Sequence, residues 1–297
     1  LNDDIETITN TNFFSLSNNT EDSKIENIFR NTKARQIPII ENGLLLDIIT
    51  EEDFFFESNK TQVPKKQLHN PVVFMAGGTG TRLDPFTRIL PKALIPYGND
   101  PILKVIMDNF GKFGMNNFFI SINDKGRMIK AYFHDHCLDY NIDFIEEDKP
   151  LGTAGALKYL NGKLHGSFFV SNCDIIIHTS YYSVYKFHKK GCYDLTLLGS
   201  MRKFTIPYGV CDIDNNGELK GIREKPISDL LVNTGLYLME PNVLNYIPED
   251  KFFDMTDLIR EIQKKGLKVG VYPVSEKSWI DVGQWGEYDK AIKELYR

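Results

Sequence analysis

Cysteine is scarce. The chain has four in 297 residues (Cys137, Cys173, Cys192 and Cys211), and none of them form a C-x-x-C pair. That excludes a disulfide framework or a zinc ribbon and leads to the expectation of reduced core thiols. Positive charge is short as well: Lys plus Arg number 35 against 40 for Asp plus Glu, a formal net charge of −5. Nothing in bulk draws such a chain to a phosphate backbone, so nucleic acid is not an expected partner. No apolar run approaches the ~20 residues of a membrane helix, so no membrane partner is expected. The first residues, Leu1-Asn2-Asp3-Asp4-Ile5-Glu6, lack the basic and apolar character of a signal peptide. These absences point to a cytoplasmic protein. What remains is ordinary globular material, 42% hydrophobic and 25% charged, of a length that suits one large or two unequal domains.

The composition shifts at residues 58–70, a polar, basic stretch with one proline that reads as a linker. Residues 1–57 then form a small unit and 71–297 a large one. In the small unit, Ile25, Ile28 and Phe29 have helical spacing. Two short strands, Gln36 to Ile40 and Leu44 to Ile49, flank the turn signal Glu41-Asn42-Gly43. Thr50 then reads as a helix N-cap with Asp53 completing a capping box. Arg35-Gln36-Ile37-Pro38-Ile39-Ile40 and Thr50-Glu51-Glu52-Asp53 resemble one cystathionine-β-synthase-type (CBS) repeat, a small α+β half-module. The resemblance implies a unit that binds adenosine nucleotides or similar ligands and works in pairs. Only one repeat is visible, and Asp47 stands where that family usually has glycine. A structural or dimerising remnant is the alternative. A homodimer through this unit is one expectation; the start at Leu1 raises another, that a partner repeat stood upstream.

The large unit alternates apolar runs (Pro71 to Ala76, Asn117 to Ile122, Ile142 to Ile145, Ser167 to Val170, Asp194 to Leu198) with helical patterns such as Ile102 to Phe113 and Gly126 to His136. That order predicts an α/β fold with a doubly wound, mostly parallel, Rossmann-like sheet. Ligands of such sheets sit at the carboxyl ends of the strands.

The first of these strands runs into Met75-Ala76-Gly77-Gly78-Thr79-Gly80-Thr81-Arg82-Leu83. Successive glycines let backbone N–H groups turn toward one point, which makes an anion cradle, and Arg82 adds a fork suited to phosphate. The spacing is neither the dinucleotide G-x-G-x-x-G nor a Walker loop. By itself it could equally be a tight strand-to-helix turn. With Pro91-Lys92 following, the pattern resembles the signature of the sugar-phosphate nucleotidylyltransferases, and further matches extend over residues 71–297.

The resemblance implies roles for specific residues. Ala76, Gly77, Gly78, Gly80 and Thr81 would hold the nucleotide, together with Glu147, Gly152 and Thr153 of Glu147-Asp148-Lys149-Pro150-Leu151-Gly152-Thr153-Ala154-Gly155. A carboxylate only accepts hydrogen bonds. Guanine offers two adjacent donors, whereas uracil and thymine offer one beside acceptors. Glu147 therefore favours guanine, and an acidic residue at this place resembles the guanylyltransferase branch. A solvated turn charge is the plainer alternative. Asp174 and Asp281 would hold Mg²⁺, Arg82 the leaving phosphates, Lys92 the α-phosphate and Lys225 the sugar phosphate. Tyr208, Gly209, Glu224, Asn233 and Thr234 would line the sugar pocket. His134 and His136 are two apart on a predicted helix end, share no face and read as surface residues. Phe54, Phe55 and Phe56 read as packing.

The implied reaction joins a nucleoside triphosphate, GTP favoured, to a sugar 1-phosphate and releases pyrophosphate. The acceptor is a hexosamine, mannose or heptose 1-phosphate. The alternatives are the same chemistry with UTP, CTP or dTTP, or a non-catalytic nucleotide sensor.

Overall fold

The computed structural model describes residues 66–295 except 79, 124, 137 and 138, and before them 14–17, 20–21, 24–25, 28–29, 32, 36–41 and 43–50. The chain divides into two units, Leu1–Gln62 and Val63–Arg297.

In the first unit, strand β1 (Gln36–Glu41) pairs antiparallel with β2 (Leu44–Thr50), and Glu41 lies opposite Leu44. Gly43, between them, has φ +79°. Ile25, Phe29 and Ile37 form a small buried core. Leu44, Leu45, Leu46 and Ile48 stay exposed. Thr50 closes β2. The helix expected beyond it, with Asp53 and the three phenylalanines 54–56, lies outside the described residues, as do residues 58–65 of the expected linker.

The end of that linker is structured. Leu68 is buried in the core of the second unit, and its N–H donates to the Phe113 carbonyl at 2.7 Å. Asn70 reaches the Ser167 carbonyl at 2.7 Å. An apolar residue in a polar stretch is a better guide to docking than the composition around it.

The second unit contains β3 (Val72–Met75), β4 (Pro96–Tyr97), β5 (Asp100–Pro101), β6 (Asn117–Ile122), β7 (Asn141–Glu146), β8 (Phe168–Asn172), β9 (Ile175–Ile177), β10 (Leu195–Thr205), β11 (Val210–Ile213), β12 (Leu219–Arg223), β13 (Ile227–Met239), β14 (Val269–Val274) and β15 (Trp279–Asp281). Seven of these form the central sheet in the order β14-β10-β13-β8-β3-β6-β7. The pairs β14–β10, β8–β3, β3–β6 and β6–β7 are parallel; only β13 runs against its neighbours. The sheet is thus mostly parallel, and both its faces are covered. Val72 and Phe74 enter one buried cluster with Phe110, Phe118 and Phe169, while Val73 enters the other with Leu157, Phe168 and Leu258. Two-sided burial is why these strands read as unbroken apolar runs.

Strand β10 has β14 beside it only over residues 195–200. Beyond that, residues 201–205 pair with 227–231 of β13 alone, and the β11–β12 hairpin lies between the two in sequence. This arm carries the exposed apolar side chains Met201, Phe204, Ile213, Ile222 and Ile227. Cys173 is buried, but Cys192 and Cys211 are exposed, which corrects the expectation of core thiols for these two; Cys137 lies outside the described residues. Among the described residues, no helix is long and apolar enough to cross a membrane.

Candidate active site

The glycine loop leaves β3 between the carboxyl ends of its neighbours. The Ala76 N–H donates to the Ser121 carbonyl at 3.0 Å, which holds the start of the loop to β6. Asn123 donates its side-chain amide to the Gly77 carbonyl at 2.5 Å, and the Lys125 ammonium donates to the Thr87 carbonyl. Gly78 is open to solvent, and Gly80 turns with φ +69°. Thr81 and the exposed Arg82 lie in a single 3-10 turn, Thr81–Leu83, pinned by buried Leu83. Thr79 lies outside the described residues.

A second group is assembled by an antiparallel ribbon. β9 starts directly after Asp174, and β15 ends on Asp281, which lies opposite Ile175. The ribbon therefore sets two distant carboxylates side by side. Lys92, in the 3-10 turn that follows Pro91, forms an ion pair with Asp174 Oδ2, and both side chains are nearly buried. The three groups converge on Gly283. A methyl group placed there would collide with Asp174 Oδ2 and would stand 2.9 Å from both Asp281 Oδ1 and Lys92 Nζ, so no side chain fits at that position. Burial pushes the Asp281 carboxyl above its ordinary value, with Asp174 adding to the rise. The Gly283 N–H (2.8 Å), Lys92 and Arg82 oppose it. Between these groups, burial pushes the Cys173 thiol up to about 12, which leaves it no thiolate chemistry at neutral pH.

Among the described residues, no three His, Cys, Asp or Glu side chains are grouped to hold a metal. Two carboxylates make a partial oxygen set. Such a set fits Mg²⁺, which keeps waters and substrate phosphates among its ligands.

Glu147 is buried at 8% exposure, just past β7. Its Oε1 accepts from the Ser121 hydroxyl, and its Oε2 accepts from the Leu151 N–H at 3.1 Å. It lies so close to the glycine loop that a methyl on Gly77 would overlap Oε1. Thr153 is held by Asp254, whose Oδ1 accepts from its N–H at 3.0 Å and its hydroxyl at 3.1 Å. Glu147 and the loop thus form one wall, and the following Gly152 and Thr153 lie against Phe253 and Asp254.

The residues expected to meet the sugar divide into two sets. Tyr208, Gly209, Glu224 and Lys225 sit on the exposed arm, where a methyl on Gly209 would stand 3.1 Å from Glu224 Oε2. Lys225 has φ +42°, a left-handed conformation that costs a non-glycine residue strain. Asn233 and Thr234 lie inside the sheet, next to the register shift between Leu197 and Gly199. Asn233 donates to the Tyr237 hydroxyl at 2.7 Å, and Thr234 donates to the Leu198 carbonyl at 2.9 Å. Their neighbour Gly235 lies against the Asn172 amide. His134 and His136 are exposed, His134 beside Asp135 and His136 stacked on Tyr132.

Sequence reasoning missed Ser121, Asn123, Lys125, Asn172 and Asp254. Four of these stand at or just beyond the carboxyl ends of β6 and β8, the place where the strand-end rule directs attention.

Residues 71–297 match the family model described as nucleotidyl transferase. The chain is 28% identical over 242 residues to a UTP–glucose-1-phosphate uridylyltransferase of Synechocystis, with 74% of this chain and 62% of the relative covered. It is 31% identical over 221 residues to a mannose-1-phosphate guanyltransferase of Aspergillus oryzae, with 71% and 60% covered. It thus spans about 60% of the length of these curated relatives. Among solved structures, HddC from Yersinia pseudotuberculosis matches with TM-score 0.60 and 26% identity over 76% of this chain and 99% of the other. The same protein complexed with GMP-PN matches with TM-score 0.59 and 25% identity over 76% and 99%. On the match of residues 71–297, the chain belongs to the nucleotidyl transferase family.

Proposed function

We propose that the chain transfers guanosine monophosphate from GTP to a sugar 1-phosphate, forming a nucleotide-sugar and releasing pyrophosphate. The observation that carries this is the convergence of Lys92, Asp174 and Asp281 on Gly283, within the electrostatic reach of Arg82 and at the strand ends that hold the glycine loop. A sugar phosphate is already an anion near neutral pH and needs no general base. Its oxygen attacks the α-phosphorus in line; the bond from that phosphorus to the bridging oxygen breaks, and pyrophosphate leaves opposite. Catalysis is positioning and charge neutralisation. Arg82 holds the departing phosphates, Lys92 meets the α-phosphate, and Lys225 holds the acceptor phosphate. Tyr208, Gly209, Glu224 and Asn233 grip the sugar hydroxyls. Asp174 and Asp281 hold Mg²⁺, which when bound neutralises charge on the triphosphate.

Glu147 reads the base. Support for guanine comes from its buried, acceptor-only carboxylate beside the loop, from the A. oryzae relative and from the GMP-PN complex of HddC. The Synechocystis relative favours UTP as the competing donor. Mannose 1-phosphate is the first acceptor to try, with hexosamine and heptose 1-phosphates beside it. Pyrophosphate release with each triphosphate and each acceptor is the test. GTP should give the highest rate, and Glu147→Gln should weaken that preference; release with UTP alone would reassign the base.

The first unit is read as one CBS-type half-module that pairs with the same unit of a second chain in the cytoplasm. The exposed row Leu44, Leu45, Leu46 and Ile48 favours this. Leu45→Asp should convert a dimer to a monomer in light scattering; an unchanged mass removes the role.

A further inference from the structure

Glutamate has no intrinsic torsional reason to hold its carboxylate in one plane, because its last torsion is broad and roughly two-fold. At residue 147 that plane is set by two donors. The Ser121 hydroxyl serves Oε1, and the Leu151 N–H serves Oε2 at 3.1 Å. The Glu147 N–H itself donates to the Ile122 carbonyl at 2.8 Å, so the backbone below the carboxylate is fixed to β6 as well. Ser121 is 0% exposed and lies at the penultimate position of β6. Its carbonyl accepts from Ala76 at 3.0 Å, so one residue touches both the root of the phosphate loop and the carboxylate beside it.

A carboxylate has about four lone-pair positions. With one on each oxygen used by the protein, one on each remains. That leftover pair has the spacing of the two neighbouring donors on guanine, N1–H and the N2 amine. We infer that Ser121 is a specificity-positioning residue: by holding the Glu147 carboxylate plane it presents two parallel acceptors to guanine, an inference that rests on the base-reading role of Glu147 proposed above. Ser121 touches no substrate and acts through Glu147. Without its hydroxyl the carboxylate keeps one fixed oxygen, turns about its last bond and loses the matched pair. The N2 contact is then the one to suffer.

Inosine triphosphate differs from GTP by lacking the N2 amine, which makes it the probe. The full chain is titrated calorimetrically with GTP and with inosine triphosphate, and the ratio of the two Kd values is read for the unaltered protein, Ser121→Ala, Ser121→Thr and Glu147→Gln. The unaltered protein should prefer GTP. Ser121→Ala should shrink the ratio about tenfold, the scale of one hydrogen bond to a charged group. Ser121→Thr, which keeps the hydroxyl, should retain it. Equal weakening of both nucleotides in Ser121→Ala is what a merely structural serine would give, and it overturns the proposal, as does an unchanged ratio. If Ser121→Ala does not fold, Ser121→Cys keeps the volume with a weaker donor. It should lose part of the ratio, and full retention overturns the proposal. A collapsed ratio in Glu147→Gln with an intact one in Ser121→Ala leaves the base reading standing and removes Ser121. An unchanged ratio in Glu147→Gln, or no preference in the unaltered protein, removes both.

Discussion

The wall of Glu147 and the glycine loop, taken with the Lys92–Asp174 pair, and the exposed arm are built on opposite plans. On the wall, Glu147 is held by the Ser121 hydroxyl and the Leu151 N–H, Thr153 by Asp254 and the Gly77 carbonyl by Asn123, and beside it Asp174 is held by Lys92. On the arm, Tyr208 is 74% exposed, Glu224 and Lys225 face solvent, and the strands beneath them have one neighbour each. A group held in place before its ligand arrives loses little entropy on binding; a free one loses more. The proposed chemistry fits this difference. In-line transfer demands a fixed triphosphate, whereas the acceptor must enter and its product must leave.

The largest break in this contrast comes from the wall. Asp174→Asn should lower turnover by roughly 10³-fold or more while the protein stays folded. It removes the ion pair with Lys92 and half of the carboxylate set; turnover within tenfold of normal would refute the assignment. On the arm, Lys225→Ala should raise KM for the sugar 1-phosphate by about 10–100-fold, the range of a charge-assisted hydrogen bond. Its Kd for GTP should not move, and a matching loss in GTP binding would erase the division between the two regions.

The pH dependence of folding sharpens the same contrast. His188 is fully buried, donor or acceptor to Thr196 at 2.8 Å, with Glu240 at 3.2 Å. Burial pushes its pKa below the ordinary 6.5 despite Glu240. The unfolded chain therefore takes up a proton that the folded one resists, so stability is lost as pH falls below about 6.5. Melting temperatures from pH 8 to pH 5 should show this fall, and His188→Gln should flatten it. An equal slope in the variant would place the titration elsewhere. The smallest effect belongs to the arm: Phe204→Ser, at a side chain 48% exposed, should change stability by no more than about 0.5 kcal/mol in denaturant titration. A larger loss would mean the arm is packed in solution.

Strands β3 and β6 were legible because two-sided burial writes unbroken apolar runs, and β6 is bounded where its run predicts, Asn117–Ile122. The helix Gly126–His136 was legible from its spacing. Strand β13 was not. Asn233-Thr234-Gly235 breaks any apolar run, yet it lies mid-strand, where the register shift at Leu197 and Gly199 absorbs the irregularity and the Leu198 carbonyl accepts from the Thr234 hydroxyl. The glycine loop, Lys92 and Glu147 carry local patterns. The bond from Ser121 to Glu147 crosses between neighbouring strands, and register of that kind has no local signature.

The ribbon of β9 and β15 has a consequence for the life of the chain. Asp174 and Asp281 are separated by more than a hundred residues, and the pairing of 175–177 with 279–281, with the Val282 N–H donating to the Asp174 carbonyl at 3.0 Å, brings them together. During synthesis, the glycine loop, Lys92 and Glu147 emerge before the second carboxylate has been made. On the proposed chemistry, an unfinished chain would carry the residues assigned to the triphosphate before it carries both carboxylates, and activity would arrive only with the last strand.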